Sequence, residues 1–148
     1  MKERFASDGP AGGEKGFTNS DSTTGDKRPS KSGIENLRVY QKALELFRLV
    51  ASLDIPREWW WLRSQMREAA GSVIFNVREG WGRPTRKDRS RFFGISCGSA
   101  NEVMGCTDAL ECAGLVGQEA TEHIKDVADH VARMLTNLRK SLAKPEPR

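Results

Sequence analysis

The residues best suited to chemistry are bases that crowd into one short stretch, between Arg83 and Arg91. Nine positions hold five bases and a single acid, Asp88. Positive groups at this density suit contact with phosphates, which is independent of nucleotide sequence and sensitive to salt. Two more arginines share one face of the preceding predicted helix and extend the surface. We therefore predict nucleic-acid binding, with a merely solvated helix start as the alternative, at Arg67, Arg78, Arg83, Arg86, Lys87, Arg89 and Arg91.

Groupings typical of enzymes are missing from the sequence. It contains no Ser-His-Asp or Cys-His grouping, no phosphate loop and no dinucleotide fingerprint. His123 and His130 are seven residues apart, whereas two ligands on one helix face are usually three or four apart. The three cysteines at 97, 106 and 112 form no C-x-x-C pair, which favours reduced thiols over a disulfide framework or zinc site. We expect no enzyme, no cofactor and no metal.

Three consecutive tryptophans, Trp59, Trp60 and Trp61, form the main aromatic feature. On a helix, successive side chains point about 100° apart, so the three indoles cannot all enter one core. At least one of them should be exposed in a single chain. Because large exposed apolar groups usually mark contacts, we predict an interface with another subunit or a partner. Stacking on nucleic-acid bases is the alternative.

A row of polar residues follows one face of the same predicted helix. Its members are spaced to lie beside the apolar stripe that faces the core. We interpret the row as a hydrogen-bond network between the second and third helices, and a row of ligand or subunit contacts is the alternative. The row consists of Gln65, Ser72, Asn76 and Glu79, with Ser99 and Glu102 as candidate partners.

The chain divides into an arm, a helical domain and a tail. Residues 1–33 are rich in Gly, Ser, Thr, Asp and Lys, which predicts a disordered arm. A leader that is removed later, or a wrongly chosen start, would look the same. Residues 34–143 form the domain and 144–148 the tail. The formal net charge of +4 belongs to the part after Asn36. Such a basic surplus fits nucleic acid as a partner.

Hydrophobic periodicity predicts four helices and no strand. The first begins at Leu37 and is broken by Asp54-Ile55-Pro56, and the second covers 58–78, ended by the glycines around Trp81. The third starts at a Thr85 cap and reaches about Cys112. Its Gly94, Gly98 and Gly105, with nearby serines and Ala100, suggest close backbone approach. The fourth covers 118–142. Short connections indicate an all-α, antiparallel up-down four-helix bundle.

Three ordered blocks of this domain resemble a known family. The first reads Leu37-x-Val39-Tyr40-Gln41-Lys42-Ala43. The second includes Gln65-Met66-Arg67, Ala69-Ala70, Ser72-Val73, Asn76 and Glu79-Gly80, and the third includes Gly82-Arg83, Lys87-Asp88, Arg91-Phe92, Gly98-Ser99 and Glu102-Val103. Together they are similar to the four-helix-bundle proteins encoded in intervening sequences of bacterial 23S rRNA genes. The resemblance covers roughly Leu37 to Leu142.

The resemblance implies a ring-shaped homo-oligomer, typically a pentamer, without catalytic activity. A related branch comprises the accessory variability proteins of diversity-generating retroelements, in which a basic ring binds nucleic acid and a reverse transcriptase. This chain departs from the family pattern at Glu68, Arg78 and Arg89. These departures alter the charge layout that would select a partner.

Taken together, the sequence predicts an oligomeric, non-catalytic nucleic-acid-binding scaffold, accessory to a reverse transcriptase. A protein-binding adaptor is the main alternative, and a small-molecule pocket in the bundle core ranks below it. The start MKERFASDGPAGG lacks the apolar core of a signal peptide, and no apolar run approaches the ~20 residues of a membrane span. We therefore expect a cytoplasmic protein.

Overall fold

Four long helices make up the domain in the computed structural model, which describes residues 33–145. The predicted arm, apart from Gly33, and positions 146–148 of the predicted tail lie outside the described residues. The helices are α1 (Arg38–Ala51), α2 (Trp60–Gly82), α3 (Arg86–Cys112) and α4 (Gln118–Ala143). Single turns of 3-10 helix at Ile34–Asn36 and Arg57–Trp59 precede α1 and α2. Residues 33–145 contain no strand, which confirms the all-α prediction.

The helices form a four-helix bundle. Each packs against its neighbour in the chain, and α1 also packs against α4, which closes the bundle. The connections at 52–59, 83–85 and 113–117 are short, so consecutive helices run antiparallel. Leu46, Met66, Val103 and Leu135, one from each helix, are fully buried at the centre. No helix within 33–145 combines the length and apolar character that crossing a membrane requires.

The end of α2 differs from the sequence prediction. We expected the glycines after Arg78 to end the helix, but it continues through Gly80 and Trp81 to Gly82. Gly80 is buried against α3, so this glycine serves close helix packing. The helix ends where Arg83 takes an extended conformation (φ −77°, ψ 137°), as the residue before a proline usually does.

The predicted start of α3 is confirmed. The Thr85 hydroxyl accepts a hydrogen bond from the Asp88 backbone N–H at 3.1 Å and donates one to Asp88 Oδ2 at 2.6 Å. This satisfies one of the free N–H groups of the first turn and fixes where the basic run enters the helix. The turn before α4 uses Gly114 at φ +66°, a conformation that favours glycine.

The small residues of α3 serve two different surfaces. Ser96 and Ala100 are buried, and Ser96 Oγ donates to the Val73 carbonyl of α2 at 2.9 Å. Gly98 and Gly105 are exposed instead, and a Cβ atom on either would meet nothing within 4 Å. The expectation of close backbone approach within the chain is therefore wrong for these two glycines, because they lie on the outer side of α3.

Candidate nucleic-acid interface

Arg86 joins the start of α3 to the end of α4. Its Nε donates to the Leu142 carbonyl at 3.0 Å, and its Nη2 donates to the Ser141 carbonyl at 2.8 Å. Carbonyls of the last helical turn have no partner within their own helix, and a cation there also complements the helix dipole. Arg86 therefore stabilises the bundle, which the sequence interpretation did not foresee.

Arg83 and Arg91 lie around one aromatic ring. The guanidinium carbon of Arg83 is 4.8 Å from the centroid of Phe92, and that of Arg91 is 5.6 Å from it. Arg83 also donates to the Glu79 carboxylate one turn earlier on α2. Cation–π contact and the ion pair restrict the Arg83 guanidinium, so it is oriented before any ligand arrives.

Arg89 holds the turn between α2 and α3. Its Nε donates to the Arg83 carbonyl at 2.7 Å, and its side chain is half-buried. Arg78, Lys87 and Arg91 are exposed around this turn. The basic run thus divides into arginines that fix the turn, at 86 and 89, and bases whose charge faces solvent.

Arg67 lies away from this group. Sixteen residues of α2 separate it from Arg83, which at 1.5 Å per residue is about 24 Å. Its Nη2 is 3.3 Å from the Ala51 carbonyl, at the end of α1. The structure therefore does not bring Arg67 together with the basic run, although Arg67 does share a face of α2 with Arg78.

The structure adds bases from α4 that the sequence interpretation missed. The Arg86 contact places the end of α4 beside the start of α3, which brings Lys140 and Lys144 to this side. The Arg139 guanidinium lies over Gly94 of α3, within 3.2 Å of an ideal Cβ there. The antiparallel pairing of α3 with α4 was the available signal for this neighbourhood. We call the following set the basic end: Arg78, Arg83, Lys87, Arg91, Arg139, Lys140 and Lys144.

Charge is segregated along the bundle. Residues 86–98 of α3 hold four bases and one acid, whereas 99–112 hold three acids and no base. Residues 118–130 of α4 hold four acids and one base, whereas 131–144 hold four bases and no acid. Because α3 and α4 are antiparallel, their basic halves lie side by side. Bases at the start of α3 oppose the helix dipole, typically by about 0.3–1 kcal/mol each, so this arrangement is not the one that favours stability.

The polar row of α2 pairs with α3, as we interpreted it. The Gln65 amide donates to the Glu102 carboxylate, and Ser72 Oγ is 2.8 Å from Ser99 Oγ. Asn76 Nδ2 donates to the Ser72 carbonyl at 2.8 Å and to its hydroxyl at 3.0 Å. Glu79 instead pairs with Arg83.

The three tryptophans separate as their spacing requires. Trp59 is half-buried and packs against the core, with its ring centroid 6.0 Å from that of Trp61. Trp60 and Trp61 remain 62% and 52% exposed. The prediction that at least one indole is exposed is confirmed, and its role as an interface stays a prediction.

Fold and site together define a four-helix bundle with a basic end. The family model for the 23S rRNA-intervening sequence protein matches residues 35–137. The chain therefore belongs to that family, as the sequence motifs implied. No curated protein matches the chain.

One solved structure with the same fold is a protein of unknown function from the S23 ribosomal protein family of Bacteroides thetaiotaomicron. It superposes with a TM-score of 0.63 at 20% sequence identity, over 72% of this chain and 97% of that one. At this identity the likeness supports the fold.

Proposed function

We propose that this chain is a non-catalytic, oligomeric scaffold that binds nucleic acid through its basic end. The observation that carries the proposal is the segregation of charge, which gathers bases from α2, α3 and α4 at one end of the bundle. Exposed bases held at an unfavourable helix start are better explained by a polyanionic partner than by stability. Membership of the 23S rRNA-intervening sequence family supports the proposal.

The binding mode follows from the side chains present. Lys87 and Arg91 are exposed, and Arg83 is oriented by Phe92 and Glu79. Such groups contact phosphates without reading bases, so affinity depends strongly on salt and weakly on sequence. In a ring, symmetry repeats the basic end around the axis, and multivalency raises the affinity without any new contact.

The proposal extends to the assembly and its setting. We infer a homo-oligomeric ring, with a pentamer favoured by the sequence resemblance, acting in the cytoplasm. A reverse transcriptase of the diversity-generating retroelement type is the proposed protein partner. These elements are supported by the resemblance in sequence and by exposed apolar surface on α1 and α2.

Salt-dependent RNA binding tests the proposal. The double variant Lys87→Ala with Arg91→Ala removes two exposed bases without touching the contacts of Arg86 or Arg89. We expect weaker binding of a labelled single-stranded RNA, and a log-affinity versus log-salt slope shallower by roughly 0.7 per lost phosphate contact and per ring position engaged. Fluorescence anisotropy at several salt concentrations measures both quantities.

A matched control removes the same charge elsewhere. Arg48 and Arg57 are exposed towards the opposite end of the bundle, so Arg48→Ala with Arg57→Ala should leave the salt slope as it is in the wild type. Equal loss of affinity in both double variants would show that net charge alone binds RNA. No salt-dependent RNA binding by the wild-type chain would exclude the proposal.

A protein-binding adaptor without a nucleic-acid role is the second candidate. The exposed Trp60 and Trp61 favour it, because adjacent exposed indoles are frequent at the centres of protein interfaces. Replacing both with serine should then abolish partner binding and leave the salt slope for RNA unchanged.

A further inference from the structure

The outer surface of α1 and α2 carries exposed aromatic rings. Phe75 is 71% exposed and Phe47 is 37% exposed. Both rings lie over Gly71, within 3.5 and 3.8 Å of an ideal Cβ on that residue. The three residues line an open groove of about 410 Å³, together with Arg67 and Glu68. We call Phe47, Gly71 and Phe75 the aromatic face. Within a single chain, nothing described covers it.

The outer side of α3 has the opposite shape. Gly98 and Gly105 have open space where a side chain would stand, and Asn101 between them is exposed. Glycine inside a helix costs about 1 kcal/mol relative to alanine, and here no contact within the chain explains that cost. We call Gly98, Asn101 and Gly105 the glycine face. It is a shallow strip that admits protruding side chains.

We propose that the aromatic face of one copy packs on the glycine face of the next copy. This inference rests on the proposed self-assembly and identifies the two surfaces that make it. The faces belong to different helices, so the contact is head-to-tail, and such a contact repeats until a ring closes. Exposed rings meeting glycines provide the close packing typical of stable interfaces.

The two faces stand at the same level along the bundle. Ser72 Oγ is 2.8 Å from Ser99 Oγ, and Ser96 Oγ donates to the Val73 carbonyl, so these stretches of α2 and α3 are level. The Phe75 ring leans back to Gly71, as helical side chains do, and so lies level with Gly98. In a ring whose axis is parallel to the bundle, equal levels of neighbouring copies meet.

Charge is complementary where the same contact would continue. Arg67 is exposed beside the aromatic face. The corresponding stretch of α3, residues 99–112, carries Glu102, Asp108 and Glu111 and no base. A neighbouring copy therefore offers carboxylates at the level of Arg67. Towards the other end, the parallel arrangement brings basic ends together, so a polyanion should strengthen the ring and low salt alone should weaken it.

Light scattering on full-length variants tests the contact. Phe75→Ser removes an exposed ring, and Gly98→Leu adds a side chain where the single chain has room, so both variants should fold. We expect each to run as a monomer with unchanged helical circular dichroism. The control Glu122→Leu adds the same side chain at an exposed position of α4 and should remain oligomeric.

Mixing the two monomeric variants tests the head-to-tail geometry. The Phe75→Ser chain keeps its glycine face and the Gly98→Leu chain keeps its aromatic face, so the mixture should form 1:1 dimers and nothing larger. If the wild type is oligomeric and both variants stay oligomeric, or if the mixture stays monomeric, the proposed contact is wrong. A monomeric wild type would exclude both the contact and self-assembly. RNA binding by the basic end is judged separately, from the Lys87 and Arg91 variant.

Discussion

Gly80 of α2 packs directly against the ring of Phe93 on α3. A Cβ atom on Gly80 would be 2.8 Å from Phe93 Cε1 and 3.1 Å from Phe92 Cβ, both closer than packed atoms approach. Phe93 is buried, and Phe92 carries the contacts with Arg83 and Arg91. The missing side chain at position 80 therefore sets how closely α2 approaches α3 beside the basic end.

Replacing Gly80 with alanine should destabilise the fold. The added methyl group forces Phe93 or the helix backbone to move, which typically costs about 1–3 kcal/mol and exceeds the ~1 kcal/mol that alanine gains in helix propensity. Chemical denaturation measures the change in free energy of unfolding. Gly82→Ala is the control, because a Cβ there meets nothing within 4 Å, and its stability should stay within about 0.5 kcal/mol. Equal stability of both variants would show that Phe93 yields without cost.

Arg86 and Lys87 are adjacent bases with different expected roles. Arg86→Ala removes two hydrogen bonds to the last carbonyls of α4 and should lower the free energy of unfolding by about 1–3 kcal/mol. Lys87→Ala should leave stability within about 0.5 kcal/mol but weaken RNA binding. Hydrogen exchange should accelerate in the last turn of α4 for Arg86→Ala alone. If instead Lys87→Ala loosens that turn, the division into turn-holding and solvent-facing bases is wrong.

Local patterns predicted well those features that depend on near neighbours or on helix period. The Thr85 cap needs only Asp88 three residues later, and Ser72 with Ser99 follows from the two polar faces. The role of Gly80 was missed because a glycine before a proline resembles a helix end, while its real partner, Phe93, lies on the next helix.

The membership of the basic end depended on tertiary contacts. Neither the position of Arg139 over Gly94 nor the use of Arg86 by α4 is encoded in local spacing, since each joins residues more than 40 positions apart. Arg67 shows the opposite error, because sharing a helix face with Arg78 does not place two residues at the same end of a helix.

The cysteines should differ in reactivity. Cys106 is buried in the core, and burial, followed by the nearby Glu102 carboxylate, raises the pKa of its thiol above the ordinary value of 9.0. Cys112 is exposed. Because thiolate is the reactive form, iodoacetamide at neutral pH should label Cys112 first and Cys106 last. Mass spectrometry of timed digests gives the order, and a denatured sample, in which the rates converge, is the control. Early labelling of Cys106 in the folded chain would contradict its burial.

Lys125 links α4 to the end of α3, and its effect on stability should depend on pH. Its Nζ is 2.7 Å from Asp108 Oδ1 and also pairs with the Glu111 carboxylate. Hydrogen bonds to Asp108 and then Glu111 raise the pKa of Lys125 from 10.5 to about 12. Since the folded-state pKa is the higher one, the ammonium stabilises the fold fully below pH ~10.5, and this stabilisation disappears as the pH rises through 12.

The variant Lys125→Met isolates that contribution. The wild type should exceed it in free energy of unfolding by a constant margin from neutral pH to about pH 10, and the margin should shrink towards pH 12. Added salt should also reduce the margin, because the pair is open to solvent. Lys140→Met, at an exposed position in the last turn of α4, corrects for the general loss of one positive charge. A margin that persists unchanged above pH 12 would mean that the aliphatic part of Lys125, and not its charge, joins the two helices.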